Sequence, residues 1–589
     1  MKPRQVAGII DDPSSRATTS RLSRLLDFLG IPWETLPIGS DFLNVGSNGE
    51  KLGQYHSILA PLPAAADLWS PQRSVARHSL FFYATEDTAK SSGSLRLLTG
   101  CQDDALRAAA EEVVTISVAT DWAALTGPMH GLSSTVKTRA CDRIATVRAT
   151  RSVSTIIGTE AGSFFLCCKS EDSRAFVSCS CEIPDLEAPL KGNGYDVTKE
   201  FLSAVPLLMY LKWAFRDICW QANETGACLI LDDPVLRRRY GFCDFQLLDA
   251  QMKDHSFTTS IAMIPWNRRR TSMEMASLVN TSSGRLSVSV HGCDHTVREF
   301  GTDDMSELNA KAGAANDRME QHRETTGISH DTIMIFPQGI FSRESLRVLQ
   351  KHGFVAAVNT ETRPCQTLEE VLAIRDVWAP AIMRYDSFPL FTRRYPADGV
   401  ANFAFDILLG KPCLIVEHHG FFKGEHRQVV GFANALNSLN TTLRWRSLGE
   451  VIRRSYHRRI DSDGVVRIRM FANELLLKND DDAECEYRIE KADQNSVGVE
   501  EVTADGRCLE WQTDGTTLSF ACTIPVVREV LIRVRYTRPE KTNGRSPDMG
   551  AAAKIAMRRY LSEFRDNFLS RHDGLMAMAR RARKMVSRN

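Results

Sequence analysis

Three short stretches of this chain end an apolar run on residues that can do acid–base or metal chemistry. The first is Leu229-Ile230-Leu231-Asp232-Asp233-Pro234, two adjacent carboxylates after a fully apolar segment. Asp-Asp-Pro is by itself good turn chemistry, yet charges at the end of a buried strand are costly unless something pairs them. The second is Val290-His291-Gly292-Cys293-Asp294-His295. Two histidines four apart converge on one ion if the residues form a single helical turn. Joined to the Asp pair, they make a two-histidine, one-carboxylate set. Three protein ligands leave positions open for water and substrate, which is the catalytic arrangement. The third stretch is Ile415-Val416-Glu417-His418-His419-Gly420. Histidine titrates near neutrality, so one of this pair could act as general acid opposite a carboxylate base.

The elements that must position these residues lie in a segment spanning about 196–460. Strand-like apolar runs occur at Cys228–Leu231, Ile261–Ile264, Leu286–Val290, Thr332–Phe336, Val355–Val358, Ala381–Met383 and Cys413–Val416. Helical patterns fall at Ser306–His322, Ser342–His352, Ala401–Leu409 and Leu448–Tyr456. Strands alternating with helices fit a parallel αβ barrel, which periodicity alone does not separate from an open sheet. In such barrels the chemistry sits at the carboxyl ends of strands, where all three stretches fall.

With these residues in place, the segment resembles the NodB-homology, or polysaccharide deacetylase, family, similar to carbohydrate esterase family 4, over roughly residues 220–420. The resemblance implies a distorted (β/α)7 barrel and hydrolysis of a non-peptide C–N (amide) bond, the N-acetyl group of a sugar. The family's apolar-strand Asp-Asp motif matches LILDDP, implying Asp232 as catalytic base and Asp233 as metal ligand. Its His-(Ser/Thr)-x-x-His motif matches His291 and His295, both on the metal. Its later apolar-strand-then-His motif resembles LIVEHH, and register on the strand favours His418 over His419 as the acid. Two departures stand out. Gly292 replaces the usual hydroxyl residue, and the Arg-x-Pro-Tyr motif is represented by Phe336-Pro337-Gln338-Gly339. The arginine that orients the base is thus absent from its place, and Arg393 or Arg394 could supply the charge from another loop. Pro337, Gln338, Gly339, Arg393, Arg394 and Tyr240, the last in the RRRYGF run, are the expected substrate-binding residues. Zinc suits a His/His/Asp set best, with cobalt, nickel or iron also compatible.

The flanks read differently. Residues 1–195 mix strand and helix signals, with Leu22, Leu25, Leu26 and Leu29 on one helical face, suggesting an α/β domain of unassigned role. Its first loop lacks a glycine-rich phosphate fingerprint. Residues 461–540 alternate in short runs, a β-sandwich pattern. After a polar linker, Pro539–Pro547, residues 548–589 form a basic, helical tail with an apolar stripe of Met557, Tyr560, Leu561, Phe564, Phe568 and Leu569. Such a helix could touch an anionic membrane surface, or dock on its own protein with a solvated basic face.

Lys plus Arg total 73 against 72 Asp plus Glu, so no global field recruits nucleic acid. Fifteen cysteines without a CxxC pair read as reduced core thiols. The longest apolar stretch, Ala204–Phe215, is too short to span a bilayer and reads as a buried helix. With no export signal in the opening residues, the expected location is cytoplasmic. The expected function is therefore a metal-dependent hydrolase that removes N-acetyl groups from a poly- or oligosaccharide or a linked sugar precursor. The alternative is a non-hydrolytic, glycan-binding or scaffold protein of the same fold.

Overall fold

The computed structural model describes residues 4–11, 16–37, 54–69, 79–148, 150–170, 173–366, 371–439, 443–461, 463–494, 498–538 and 549–571. The Asp-Pro loop at 12–15, the Pro539–Pro547 linker and the tail beyond residue 571 lie outside them. The fold is mixed α/β with several sheets.

In the N-terminal part, strands Trp33–Pro37, Arg4–Asp11, Tyr55–Pro61, Ser79–Tyr83 and Arg174–Ser178 pair in parallel in that spatial order. Antiparallel strands continue the sheet beyond Gly162–Lys169. The helix Arg16–Leu29 buries Leu22, Leu25, Leu26 and Leu29, the stripe read from its spacing. The apolar stretch forms a helix, Phe201–Ala214, buried along nearly its whole length. Residues of that helix, of the N-terminal sheet and of the central sheet join one core cluster. Among the described residues, no helix is long and apolar enough to cross a membrane.

The central sheet carries the candidate residues. Its main parallel strands are β1 (Thr225–Asp232), β2 (Thr259–Met263), β3 (Leu286–His291), β4 (Asp331–Ile335), β5 (Ala356–Asn359), β6 (Leu390–Thr392) and β7 (Cys413–Glu417). The short strand Leu443–Trp445 also pairs in parallel with the start of β1. Neighbours pair in the order β6-β5-β4-β3-β2-β1-β7. Beyond β6, Arg394 donates its N–H to the Leu414 carbonyl at 3.0 Å and accepts from Val416 N–H at 2.9 Å. These bonds tie the far side of the sheet to β7. The intervening helices are α1 (Phe245–His255), α2 (Met273–Thr281), α3 (Met305–Thr326), α4 (Arg343–Lys351), α5 (Val400–Leu409) and α6 (Arg427–Leu439).

Side chains alternate between sheet faces with period two. Cys228, Ile230, Ile333, Ile335, Ala356, Val358, Phe391 and Leu414 point to one face and share a core cluster. Ala227, Leu229, Leu231, Val288, Val290, Leu390 and Ile415 point to the other and join the larger core. One expected strand is displaced. Ala381–Ile382 is a two-residue antiparallel strand on β6, not a parallel stave, and β6 takes that place. β6 has three residues behind Pro389, too few to show a period.

Two further sheets, of six and four strands, follow, and Ile468, Leu477, Ile489, Phe520 and Ile532 from both share a core. The final helix, α7 (Met549–Asn567), packs back on the central sheet's loops. It docks by its polar side. Arg559 and Asp566 are its buried residues, whereas Met557, Tyr560, Leu561, Phe564 and Phe568 of the apolar stripe are exposed.

Tyr210 of the long buried helix ties the N-terminal sheet in place. Its hydroxyl meets Ser57 and, at 2.8 Å, Ser79. Tyr210→Phe removes a buried partner from Ser57 and should lower unfolding free energy by about 1–3 kcal/mol in urea titrations. Unchanged stability would show that these serines are satisfied elsewhere.

Candidate metal and acid–base site

Strand register delivers the residues. Asp232 is in phase with Cys228 and Ile230, so it emerges on the Ile230 face at the carboxyl end of β1. Arg393 is in phase with Phe391 and meets it there. The two form a two-point ion pair, Nη1 to Oδ1 at 2.8 Å and Nη2 to Oδ2 at 2.7 Å. Both side chains are buried, 5% exposed for Asp232 and 4% for Arg393. Burial opposes ionisation of the Asp232 carboxyl, but the Arg393 guanidinium together with His291 and His418 outweighs it and holds the carboxyl below its ordinary value. Arg394, one residue out of phase, points the other way and pairs with Asp406 of α5 at 2.6 Å. Of the two arginines expected to replace the missing charge, the structure brings Arg393 to the aspartate and gives Arg394 to the α5 contact.

Asp233 turns away from the strand at φ 78°. Its Oδ1 lies 2.9 Å from His295 Nε2 and 3.3 Å from His291 Nε2. That buried oxygen has no hydrogen-bond partner despite facing both rings. His291 Nδ1 lies 3.0 Å from the Ile335 carbonyl. That carbonyl can only accept, so Nδ1 carries a proton, and the neutral ring then keeps the lone pair on Nε2. The three ligand atoms lie within 4.8 Å of one another and could hold a metal ion. A carboxylate oxygen without a donor and an imidazole with its lone pair turned inward fit a divalent ion better than they fit each other.

The two histidines do not converge through a helical turn. His291 ends β3, Gly292 takes φ 62° and His295 takes φ 58°. A carboxylate holds this loop. Glu299 accepts the backbone N–H groups of Cys293, Asp294 and His295 at 2.9, 2.7 and 3.0 Å. Asp294 is in turn clamped by Lys311 and Arg318 of α3 at 2.7 and 2.6 Å. Cys293, Asp294 and Glu299 also lie close enough to hold an ion. However, both carboxylates are already engaged and burial pushes the Cys293 thiol up. Gly292 explains the departure at the motif's second position. A Cβ there would stand 2.4 Å from Pro337 Cγ and 2.5 Å from Glu299 Oε2. Glu299 was missed in the sequence, although it lies four residues beyond His295.

Of the remaining expected residues, His418 is exposed and in phase with Leu414 and Val416, close enough for its charge to act on Asp232. His419 turns to the opposite side. It stacks on Phe242 with ring centroids 5.8 Å apart and reaches Asp566 of α7 at 3.4 Å. Pro337 is buried against Gly292, and the Gly339 carbonyl accepts from Asn359 at 2.8 Å. Gln338 takes φ 60° beside them. Tyr240 is 2% exposed, its hydroxyl donating to Asp566 at 2.7 Å, so it meets α7 instead of an open groove. A cavity of about 390 Å³ opens beside Arg393, lined also by Asp196, Thr360, Glu361 and Asn402.

Removing the loop's acceptor should loosen the ligands. Glu299→Ala is expected to weaken zinc binding by roughly 10–100-fold in calorimetric titration. Gly292→Ala should do the same through the Pro337 clash. Wild-type affinity in both variants would contradict this role for the loop.

No family model and no curated protein matches the chain. Among solved structures it is similar to a Mycobacterium smegmatis protein described as a polysaccharide deacetylase. The identity is 11%, covering 40% of this chain and 91% of that one, with a TM-score of 0.27. It is similar also to a family 4 carbohydrate esterase from Streptomyces lividans in complex with acetate, at 11% identity, 38% and 92% coverage and a TM-score of 0.24. A family 4 acetyl xylan esterase from Clostridium thermocellum with a cobalt ion is 10% identical, with 39% and 90% coverage and a TM-score of 0.24.

Proposed function

We propose that this protein is a metal-dependent hydrolase that removes N-acetyl groups from a carbohydrate. The observation that carries the reading is the division of labour between adjacent carboxylates. Asp233 faces two imidazoles, whereas Asp232 is turned to an arginine that keeps it ionised. In this reading strands β1–β7 form a distorted (β/α)7 barrel, and the two sheets built mainly from residues after 456 form an accessory β-sandwich.

Asp233, His291 and His295 would hold the ion, zinc by preference. A divalent ion there would polarise an acyl carbonyl and acidify water within its reach. Asp232 accepts the proton of the attacking water. Arg393 fixes the direction of that carboxylate and keeps it from being protonated. His418 gives a proton to the amine nitrogen as the carbon–nitrogen bond breaks, so acetate and a free amine leave. An acid and a base so placed each contribute roughly 10²–10⁴-fold. The cavity beside Arg393 suits the sugar, since its lining offers carboxylates and hydroxyls for hydroxyl groups.

Metal content and acetate release test this together, with Asp233→Ala and His291→Ala beside the wild type on N-acetylated glycans. The expected result is about one ion per wild-type chain, lost in both variants, and acetate only where the ion is bound. Bound metal without acetate from any glycan would favour the non-hydrolytic, glycan-binding reading. Absence of metal after reconstitution would remove the mechanism.

The ion pair gives a second test. Arg393 depresses the Asp232 carboxyl, so its loss must raise that value. Arg393→Ala should therefore move the acidic limb of the pH profile of kcat/KM upward and lower kcat by roughly 10²-fold. Arg394→Ala should leave that limb in place. An unmoved limb in Arg393→Ala would separate Asp232 from the proton transfer.

A further inference from the structure

Helix α7 brings a cation to this site that no step above uses. Three of its residues, Arg559, Glu563 and Asp566, are spaced to share one face. Glu563 pairs with Arg270, and Asp566 accepts from the Tyr240 hydroxyl at 2.7 Å. Asn567 Oδ1 accepts the Gly241 N–H at 2.7 Å. Arg270, in the loop after β2, also lies 4.6 Å over the Tyr560 ring, so the helix is held against the loops after both β1 and β2. The face so anchored turns Arg559 inward, where it is 4% exposed.

Arg559 makes no hydrogen bond or ion pair among the described residues, and its buried Nε has no partner. Of the surrounding charges, Asp233 acts on it most strongly. The nearest carboxylates among the described residues already face other groups. Asp232 is held by Arg393, and Asp233 faces the two histidines. Asp566 is engaged by Tyr240, His419 and Arg565. A guanidinium left buried with unmet donors is costly, and an oxyanion is the ligand that meets them two at a time.

We propose that Arg559 is the anion-binding residue of this site and receives a carboxylate or phosphate carried by the acetylated sugar. The inference rests on the deacetylase reading for the substrate's identity, though not for the anion site itself. It names the substrate class as anionic N-acetylated sugars, and it makes α7 a wall of the site.

The test uses the full chain as wild type, Arg559→Gln and Arg559→Lys. Inorganic phosphate is titrated by calorimetry into chelator-dialysed and zinc-loaded protein, with thermal melts confirming that each variant is folded. Arg559→Gln should weaken phosphate roughly 10–100-fold in both preparations, and Arg559→Lys should recover part of the loss. Acetate release is then compared for N-acetylglucosamine 1-phosphate, N-acetylmuramic acid and neutral N,N′-diacetylchitobiose. The preference for whichever anionic sugar is used should fall in Arg559→Gln through KM, and the better arm identifies phosphate or carboxylate. Equal phosphate affinity in wild type and Arg559→Gln would overturn the proposal, as would phosphate binding that requires only the metal. Arg559-dependent phosphate binding without acetate release would uphold the anion site and count against the hydrolase reading alone.

Discussion

The buried pair of Asp232 and Arg393 is the interaction on which the site depends, because it lets two adjacent carboxylates do different work. Left alone, neighbouring aspartates at the end of an apolar strand would repel each other, and burial would drive one to protonate. Arg393 removes that conflict by meeting both oxygens of Asp232. Asp233 is then free to turn, at φ 78°, toward the two histidines. The arginine comes from the opposite side of the sheet, and the backbone bonds between Arg394 and β7 place it there. The ion pair of Arg393 and the backbone bonds of Arg394 to β7 thus come from one stretch of chain.

A second carboxylate does for the histidines what Arg393 does for the aspartates. Glu299 gathers three successive backbone N–H groups, which lets the loop after β3 hold left-handed backbone at Gly292 and His295. Lys311 and Arg318 of α3 hold Asp294 in the same loop. Positions that look like departures from a motif are therefore compensated in three dimensions. Gly292 leaves room for Pro337 and Glu299, and the distant Arg393 pairs with Asp232.

What was legible in the sequence follows from how far each signal extends along the chain. β1, β3 and β7 are apolar runs that end abruptly on polar residues, so both the strands and the polar residues at their ends could be read. The period of two carried further still, separating His418 from His419 and accounting for Arg393 against Arg394. β6 was not legible, since three residues behind a proline carry no period and Ala381–Met383 offered the stronger run. Nor was Glu299, whose partners are backbone groups that no residue type announces. The docking of α7 escaped for a different reason. An amphipathic helix is expected to bury its apolar stripe, but this one buries Arg559 and Asp566 because Tyr240, Gly241 and Arg270 present polar partners.

The central claim is that Asp233, His291 and His295 are the ligand set, and X-ray absorption at the edge of the bound metal tests it most directly. In zinc-loaded protein the account predicts two imidazole shells and one carboxylate oxygen, with lighter solvent atoms filling the remainder and no sulfur. Loss of the bound-zinc signal in His291→Ala would complete the assignment. Sulfur scattering from Cys293, or a spectrum unchanged in His291→Ala, would place the ion elsewhere and contradict it.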